Sequence, residues 1–350
     1  MAELVSVVGG LLASVSLDPA ELASAQAAVK LAGKGLTDSE IHSNLAQAPA
    51  SGVLNVYDIT AVAGKTYVQK TGEQVVILQG SASATLTGLT NATNNLLIGN
   101  NGADTINTKG GTGTVIVGDG KNVVNVTGGT QKIITGAASS VDTIVMAGGN
   151  VTVVGNAQTT VSVTGGADSI SSSGTLKITA TGTDTITLYG TGADTITATG
   201  SATIHGGAGS LRFNGGINST VVAGSGAETM VGGTGKSTFY GNASKTSTDT
   251  MYGGSGANLF KGGKGHDLMI SGFAKGSTSS IFEFSSTMGG GVHTVNQFHQ
   301  ATDKIELQGY TAADVTKISM SGSNTVIKLD DGTTITVGAA TVTIGQIKFV

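Results

Sequence analysis

The stretch GGSGANLFKGGKGHDLMI, residues 253–270, consists of two nine-residue units. Each unit has glycine at its first, second and fourth positions and a large apolar residue at its eighth, Phe260 or Met269. Upstream, from residue 97 onward, one bulky apolar side chain recurs every eight to ten residues, with turn residues between. The series is Leu97, Ile106, Ile116, Val124, Ile134, Ile144, Val153, Val161, Ile170, Ile178, Ile186, Ile196, Ile204, Phe213, Val222, Met230, Phe239, Met251, Phe260 and Met269.

This spacing is too short for a helical repeat, which needs roughly 33 or more residues per unit. It fits a short strand and a turn, stacked many times. The sequence therefore predicts an all-β protein whose body, residues 97–272, is a β-solenoid. Solenoids present long surfaces more often than they enclose active sites.

The composition excludes several classes of protein. Charged residues make up only 11% of the chain, the single arginine is Arg212, and the net charge is −4. Nucleic acid binding needs clustered basic side chains, so no nucleic acid partner is expected. There is no cysteine and hence no thiolate site, and no apolar run is long enough to cross a membrane. A surface so poor in charge permits self-association, which favours a homo-oligomer or polymer.

The N-terminal segment, residues 1–52, is predicted to form a helical hairpin. Asp18-Pro19-Ala20-Glu21 provides an N-cap, a proline at the first helical position and an acidic third residue, and the helix would run to Ala32. Thr37-Asp38-Ser39-Glu40 indicates a second capping box. The hairpin is either a cap or small packing domain, or a docking element for a partner. Glu3 lies where a Sec-type signal peptide would have a basic residue, so another export route is expected.

Two flanking segments differ from the repeats. Residues 53–96 alternate β-branched and polar residues, which predicts a β cap at the start of the solenoid. In residues 273–350 aromatic residues become frequent and TVIKLDDGTTITV alternates strictly. Asp331-Gly332 is a hairpin turn signal within it. The segment is predicted to be an antiparallel β cap that covers the end of the solenoid.

A carboxylate stands two positions before the apolar residue in many units. Six of these acids also have a glycine two residues ahead. The units are Asp104-Thr105-Ile106, Asp142-Thr143-Ile144, Asp168-Ser169-Ile170, Asp184-Thr185-Ile186, Asp194-Thr195-Ile196, Glu228-Thr229-Met230, Asp249-Thr250-Met251 and Asp267-Leu268-Met269.

With these glycines and acids the repeat resembles GGxGxDxUx, the nonapeptide of the RTX, or haemolysin-type calcium-binding, proteins. The resemblance implies a right-handed parallel β-roll with two nonapeptides per coil, glycine turns of positive φ, and Ca²⁺ bound by turn aspartates between coils. Residues 290–315 also resemble the segment that follows these repeats. That likeness implies an uncleaved C-terminal signal and a type I secretion exporter as partner.

Within this resemblance, calcium sites need carboxylates about 18 residues apart on one side of the roll. Asp249 and Asp267 meet this condition, and Asp168 and Asp184 are 16 apart. The candidate metal site therefore comprises these four acids and the glycines Gly253, Gly254, Gly262, Gly263 and Gly265. The alternative is that the acids cap backbone N–H groups in turns, which we favour for Asp104 and Asp142.

No catalytic motif is visible, so the sequence predicts a protein that is not an enzyme. We expect a secreted, extracellular structural protein of a bacterial cell surface or matrix, such as a surface-layer, biofilm or filament subunit. The alternative is a carbohydrate-binding adhesin module, or an accessory domain of a polysaccharide-modifying enzyme, with cell-surface polysaccharide as partner. Recurrent threonines, as in Thr185-Ile186-Thr187, leave an ice-binding solenoid as a minor alternative.

Overall fold

The computed structural model describes residues 19–32, 39–43, 45–51, 53–136, 140–155, 158–242, 244–272 and 279–350. The chain divides into two compact units, Met1–Ile178 and Thr179–Val350, which we call unit 1 and unit 2. The described part of unit 1 contains one α-helix, α1 (Pro19–Ala32). No helix in the described residues is long and apolar enough to cross a membrane.

The strands of the first unit are short. In chain order they are β1 (Ser39–His42), β2 (Leu54–Thr60), β3 (Thr66–Val68), β4 (Val75–Gln79), β5 (Thr85–Thr87), β6 (Asn95–Ile98), β7 (Thr105–Thr108), β8 (Thr112–Ile116), β9 (Val123–Val126), β10 (Thr130–Ile134), β11 (Val141–Met146), β12 (Asn150–Gly155), β13 (Gln158–Val163), β14 (Gly166–Ser172) and β15 (Leu176–Ala180), the last of which contains the division between the units.

The second unit continues in the same manner. Its strands are β16 (Thr183–Leu188), β17 (Asp194–Ala198), β18 (Ser201–His205), β19 (Leu211–Asn214), β20 (Ser219–Val222), β21 (Glu228–Val231), β22 (Ser237–Tyr240), β23 (Thr248–Tyr252), β24 (Asn258–Lys261), β25 (His266–Ile270), β26 (Ser280–Ser285), β27 (Val292–Asn296), β28 (Lys304–Gln308), β29 (Val315–Ser321), β30 (Asn324–Leu329), β31 (Thr334–Val337) and β32 (Ile347–Phe349). Among the described residues, short 3₁₀ turns lie at Ser286–Met288, Ala312–Asp314 and Ile344–Gln346.

Each unit is a parallel β-solenoid, which confirms the predicted fold class. Successive strands alternate between two sheets, so that a strand pairs in parallel with the strands two before and two after it. We call the sheets of each unit the even sheet and the odd sheet, after their strand numbers. The even sheet of unit 1 also contains β1, and the odd sheet of unit 2 ends in the order β27-β31-β30-β29.

Buried apolar residues that stack from strand to strand form the core between the two sheets of each unit. Stacked residues are in register along the solenoid strands, which pair in parallel. In unit 1 the core residues are Tyr57, Val76, Leu97, Val115, Ile133, Val153 and Ile170 on the even sheet and Tyr67, Leu86, Ile106, Val124, Ile144 and Val161 on the odd sheet. In unit 2 they include Ile204, Val221, Phe239, Phe260 and Phe282, facing Phe213, Met230, Met251 and Met269.

Three residues of the predicted apolar series do not face this core. Val115, Ile133 and Val221 occupy the core positions that were assigned to their neighbours Ile116, Ile134 and Val222. A shift of one residue turns a side chain to the opposite face of a sheet. The prediction was wrong at these positions because each lies in a run of adjacent apolar residues. In such a run, apolar and polar residues do not alternate, so the sequence does not show which side of the strand faces the core.

Ile116 and Ile134 are nevertheless buried, because α1 packs on the outer face of the even sheet of unit 1. Ala25, Ala28 and Val29 of the helix form one cluster with outward side chains of β2, β4, β6, β8 and β10. The helix thus acts as a packing element within its own unit, one of the two predicted alternatives.

The second helix of the predicted hairpin does not form. Residues 39–42 are instead β1, which pairs in parallel with β2 at Ile41↔Val56. His42 is buried, its Nε2 lies 3.0 Å from Asn55 Oδ1, and its ring stacks on Tyr57. Pairing with β2 satisfies backbone groups that a helix would have left unpaired along the sheet edge.

Parallel pairing extends beyond the predicted solenoid body in both directions. Val76 pairs with Leu97, so the strands before residue 97 belong to the same ladder. After residue 272, β26 and β28 continue the even sheet of unit 2. The predicted antiparallel cap is confirmed at β29–β31, with the β30–β31 turn at Asp331-Gly332 and a φ of 89° at Gly332.

Candidate functional site

The strongest concentration of buried charge lies on the odd sheet of unit 2. Glu228, Asp249 and Asp267 are each the inward residue two positions before a core methionine, on β21, β23 and β25. Asp249 pairs with Asp267, and Glu228 and Asp249 immediately precede the paired residues Thr229 and Thr250. We call these three residues the acidic column. Neighbouring members lie about 4.8 Å apart along the column, the spacing between paired strands.

The column places buried oxygens without partners next to each other. Asp249 accepts hydrogen bonds from the N–H groups of Glu228 (3.2 Å) and Asn242 (3.0 Å). Asp267 Oδ2 accepts one from Gly263 N–H (2.8 Å). Both carboxylate oxygens of Glu228 and Oδ1 of Asp267 are buried and have no hydrogen bond of good geometry among the described residues. Glu228 nevertheless lies close enough to the Asp249 carboxyl group and to Gly226 N–H for both to affect its pKa.

Electrostatics make this arrangement unfavourable unless its charge is compensated. Burial, followed by the neighbouring Asp249, raises the pKa of Glu228 above its usual range. Burial also raises the pKa of Asp249, and the charge of Asp267 adds to the effect. Like charges at this spacing in a poorly solvated interior need a bound proton or a cation between them.

His293 closes the column at its C-terminal end. It pairs with Asp267 across β25 and β27, and its Nδ1 lies 3.1 Å from Asp267 Oδ2. The ring is buried and contacts Phe284 at 5.0 Å between centroids. His293 was not predicted from the sequence as part of the site. The signal was nevertheless present, because His293-Thr294-Val295 has the same pattern as Asp249-Thr250-Met251, with histidine in place of the acid.

The glycines of the candidate site are required by close stacking of coils. A Cβ on Gly263 would lie 1.9 Å from the carbonyl oxygen of Asn242, and one on Gly265 would lie 2.4 Å from that of Ser247. None of the five candidate glycines has a positive φ, so the turn conformation implied by the family resemblance does not explain them. Gly254, Gly263 and Gly265 let backbone carbonyls approach the neighbouring turn, whereas Gly253 lies against Asn258 and Gly262 against the ring of Phe284.

The candidate residues do not all belong to one site. Gly262, Gly263 and Gly265 lie in the turn from β24 to β25, directly before Asp267. Gly253 and Gly254 lie in the turn from β23 to β24, at the other edge of the sheets. That turn is closed by Asn258, whose Oδ1 accepts from Gly254 N–H (3.1 Å) and whose Nδ2 donates to Gly256 O (2.9 Å).

Asp168 and Asp184 lie on even-sheet strands of different units. Asp168, on β14 of unit 1, accepts a hydrogen bond from Val151 N–H of the preceding coil (3.0 Å). Asp184, on β16 of unit 2, accepts one from Gly182 N–H (3.0 Å). Each therefore contributes to the backbone hydrogen bonding of its own unit.

On the odd sheet of unit 1, Asp104 caps a turn, as predicted. It accepts hydrogen bonds from Asn100 N–H (2.7 Å) in its own turn and from Ala84 N–H (2.9 Å) in the preceding coil. Asp142 accepts from the backbone N–H (3.2 Å) and side-chain amide (3.1 Å) of Asn122. Burial raises the pKa of Asp142 to about 6, and the bonds from Asn122 limit that rise.

The donor set of the acidic column fits Ca²⁺ better than other metals. Ca²⁺ takes six to eight oxygens from carboxylates and backbone carbonyls in flexible geometry. The orphaned oxygens of Glu228 and Asp267 are of this type, and the adjoining turns supply carbonyls. No group of three or more histidine or acidic side chains among the described residues is already arranged as a metal site. Ca²⁺ would therefore need the turn carbonyls as well as the carboxylates.

Comparison with known proteins agrees with this geometry. The family described as RTX calcium-binding nonapeptide repeat (4 copies) matches residues 89–115, 222–245 and 246–273, and the last two segments contain the acidic column. No curated protein matches the chain. RTX nonapeptide repeats bind calcium and are typical of secreted proteins. These three segments of the chain are therefore RTX-type calcium-binding nonapeptide repeats.

Proposed function

We propose that this protein is a secreted structural subunit that self-assembles at the bacterial cell surface or in the extracellular matrix, with Ca²⁺ bound along the acidic column of unit 2. The observation that carries the calcium part is the set of buried, unpartnered carboxylate oxygens on Glu228 and Asp267. The RTX β-solenoid is a structural fold typical of proteins that are not enzymes.

The residues that would hold calcium are Glu228, Asp249 and Asp267, together with carbonyls of the turn residues 223–227, 241–242, 244–247 and 262–265. A divalent cation would neutralise the stacked carboxylates. Because the column exists only when the strands are paired, a cation bound there stabilises the folded state by RT ln(1 + [L]/Kd). Calcium binding and folding of these coils are then coupled.

The calcium assignment is tested by isothermal titration calorimetry and thermal melting of the whole chain, with Ca²⁺ and with EDTA. The wild type should bind Ca²⁺ and melt at a lower temperature in EDTA. Asp249→Asn should lose bound calcium and most of the calcium-dependent rise in Tm. Asp330→Asn, which changes an exposed acid outside the column, is the matched control. Equal calcium binding by wild type and Asp249→Asn would rule out the assignment.

Self-assembly is supported by the regular and nearly uncharged outer faces. On the even sheet of unit 2, Thr185, Thr203, Thr220 and Thr238 stand in register on four consecutive paired strands. Hydroxyl side chains of this kind can pack against another copy without burying an unpaired charge. The low total charge leaves little electrostatic repulsion between copies.

Electron microscopy of the purified protein, with Ca²⁺ and with EDTA, tests the assembly. We expect filaments or sheets with calcium. Monomers at high concentration under both conditions would contradict it.

A carbohydrate-binding adhesin is the second candidate, and a surface groove favours it. The groove has a volume of about 280 Å³ on the even sheet of unit 2, and is lined by the same threonines with Asn218 and Lys236. Hydroxyl, amide and ammonium groups are suited to hydrogen bonding a polyhydroxylated ligand. Glycan-array binding that is lost in Thr203→Val/Thr220→Val, from a protein that stays monomeric, would favour this function. Thermal hysteresis lost in the same variant would instead indicate ice binding.

A further inference from the structure

The column position that is acidic in unit 2 has a different composition in unit 1. There the odd sheet carries Asp104, Asn122 and Asp142 on successive coils, in register with one another. All three side chains are buried. An amide therefore stands between two carboxylates, where unit 2 has three carboxylates in succession.

The amide of Asn122 makes hydrogen bonds in both directions along this column. Its Oδ1 accepts from Asp104 N–H (2.9 Å), and its Nδ2 donates to Asp142 Oδ1 (3.1 Å). The same Nδ2 also donates to the turn carbonyl of Gly118 (3.1 Å). A carboxylate of the next coil and a carbonyl of the turn are the oxygen types that Ca²⁺ would take between coils. The Asn122 nitrogen faces both of them.

The oxygens of the two columns differ accordingly. Both carboxylate oxygens of Asp104 accept hydrogen bonds from backbone N–H groups. On Asp142 only Oδ2 has no hydrogen-bond partner among the described residues. In unit 2 both oxygens of Glu228 and Oδ1 of Asp267 lack one. The charge of the unit 2 column is thus left for a bound proton or an external cation, whereas an internal donor serves the unit 1 column.

We propose that the Asn122 side chain takes the place of calcium in unit 1, so that the coils that contain Asp104, Asn122 and Asp142 fold and stay folded without calcium, whereas the coils around Glu228, Asp249 and Asp267 require it. This inference rests on the proposed calcium site in unit 2. The three matched RTX segments are then of two kinds. Segment 89–115, which contains Asp104, folds without calcium, whereas segments 222–245 and 246–273, which contain the acidic column, require it. Calcium would then control the folding of only part of the chain.

Asn258 shows the same chemistry at a second position. It occupies the acid position of the unit GGSGANLFK, and its Nδ2 donates to the carbonyls of Gly256 (2.9 Å) and Gly254 (3.3 Å). An asparagine at the acid position of a repeat therefore fills its turn with its own amide. The residue at the acid position then decides whether a repeat needs calcium: a repeat with asparagine does not, and a repeat with an unpaired carboxylate does.

Hydrogen–deuterium exchange of the full chain, with Ca²⁺ and with EDTA, tests the proposal. In the wild type, the amides of 100–146 should be equally protected in both conditions, while those of 228–270 should exchange faster in EDTA. Asn122→Asp converts the unit 1 column to three carboxylates. Its 100–146 amides should lose protection about tenfold or more in EDTA and regain it with Ca²⁺. Asn125→Asp, on the outward face of β9, the strand that directly follows Asn122, is the control and should not acquire calcium dependence.

The reciprocal variant Asp249→Asn places an amide inside the unit 2 column. It should lose calcium binding but keep more protection of 228–270 in EDTA than the wild type does.

The proposal is overturned if wild-type residues 100–146 lose protection in EDTA. It is also overturned if Asn122→Asp shows no difference between EDTA and Ca²⁺, whether protected or unprotected in both. Failure of the proposed function is a separate result, namely a wild type that binds no calcium. If the wild type binds calcium but the amides of both 100–146 and 228–270 lose protection in EDTA, only the inference about Asn122 is contradicted.

Discussion

At the scale of single residues, glycine is required wherever one turn lies directly on the next. The φ of Gly254 lies outside the left-handed region that favours glycine, but a Cβ there would lie 1.8 Å from the carbonyl oxygen of Gly233. Such a contact forces the two coils apart. The glycine content of the repeats is thus explained mainly by the distance between coils.

Gly254→Ala should therefore destabilise the calcium-loaded protein by about 2–3 kcal/mol, the usual cost of overpacking. The measurement is urea-induced unfolding followed by circular dichroism. Gly345→Ala is the matched control, because a Cβ there meets nothing within 4 Å. That control should change stability by less than about 0.5 kcal/mol. Similar losses for both variants would show that the coil contact is not the cause.

Asp142 should make stability depend on pH. Its pKa is raised from 3.8 to about 6 in the folded protein, so the native state binds a proton more tightly than the unfolded chain. Stability from this group is therefore greatest below about pH 4 and falls as the pH rises to about 6. Asp142→Asn keeps an acceptor for Asn122 and removes the buried charge.

Asp142→Asn should thus raise the free energy of unfolding at pH 7 by about 1–3 kcal/mol and have little effect at pH 4. Thermal melting at the two pH values measures the difference, with Asp330→Asn as the exposed control. A stabilisation of equal size at both pH values would mean that the charge of Asp142 is not responsible.

At the scale of secondary structure, helix α1 is held by the sheet on which it packs. Its sequence predicted the helix, from the N-cap at Asp18 to Ala32. Val29 is almost completely buried against the even sheet of unit 1, whereas Leu31 is 52% exposed. Strands β2, β4 and β6 have apolar residues at both inward and outward positions. The outward ones are buried because α1 covers that face of the sheet.

Val29→Ala should cost about 1.5 kcal/mol, from two methyl groups removed from a buried site. Leu31→Ala, a larger truncation on the exposed side of the same helix, should cost less. Differential scanning calorimetry gives both values. If Leu31→Ala is the more destabilising change, the packing face of the helix has been assigned incorrectly.

The failed second helix shows the limit of local signals. Thr37-Asp38-Ser39-Glu40 is a good capping box, but β1 forms because the edge of β2 offers backbone partners and because His42 packs on Tyr57. These contacts join residues that are 15 apart in sequence. Local propensity is a weak determinant when tertiary hydrogen bonds compete with it.

At the scale of the whole molecule, the low charge has consequences for association. The chain has 18 basic and 22 acidic residues among 350, and several acids are buried. Contacts between copies should therefore depend little on surface ion pairs. In the ion pair between Lys348 and Glu306, the lysine side chain is exposed but the carboxylate is largely buried.

We expect calcium-dependent assemblies to persist when the salt concentration is raised from about 0.1 M to 1 M, which shortens the screening length from about 10 Å to 3 Å. Light scattering at constant Ca²⁺ measures this. Assemblies that dissolve in high salt would indicate that charged side chains hold the copies together.

The repeat, the β-solenoid, the antiparallel cap and the placement of Asp249 beside Asp267 were all predictable from the sequence. Each of them follows from the spacing of apolar residues and from turn residues, which are local features of the sequence. The tertiary structure alone decided which of two adjacent apolar residues faces the core, where α1 packs and that His293 ends the acidic column. It also decided which acids are satisfied internally, as at Asn122. These features depend on contacts between coils, and such contacts bring together side chains that are far apart in the sequence.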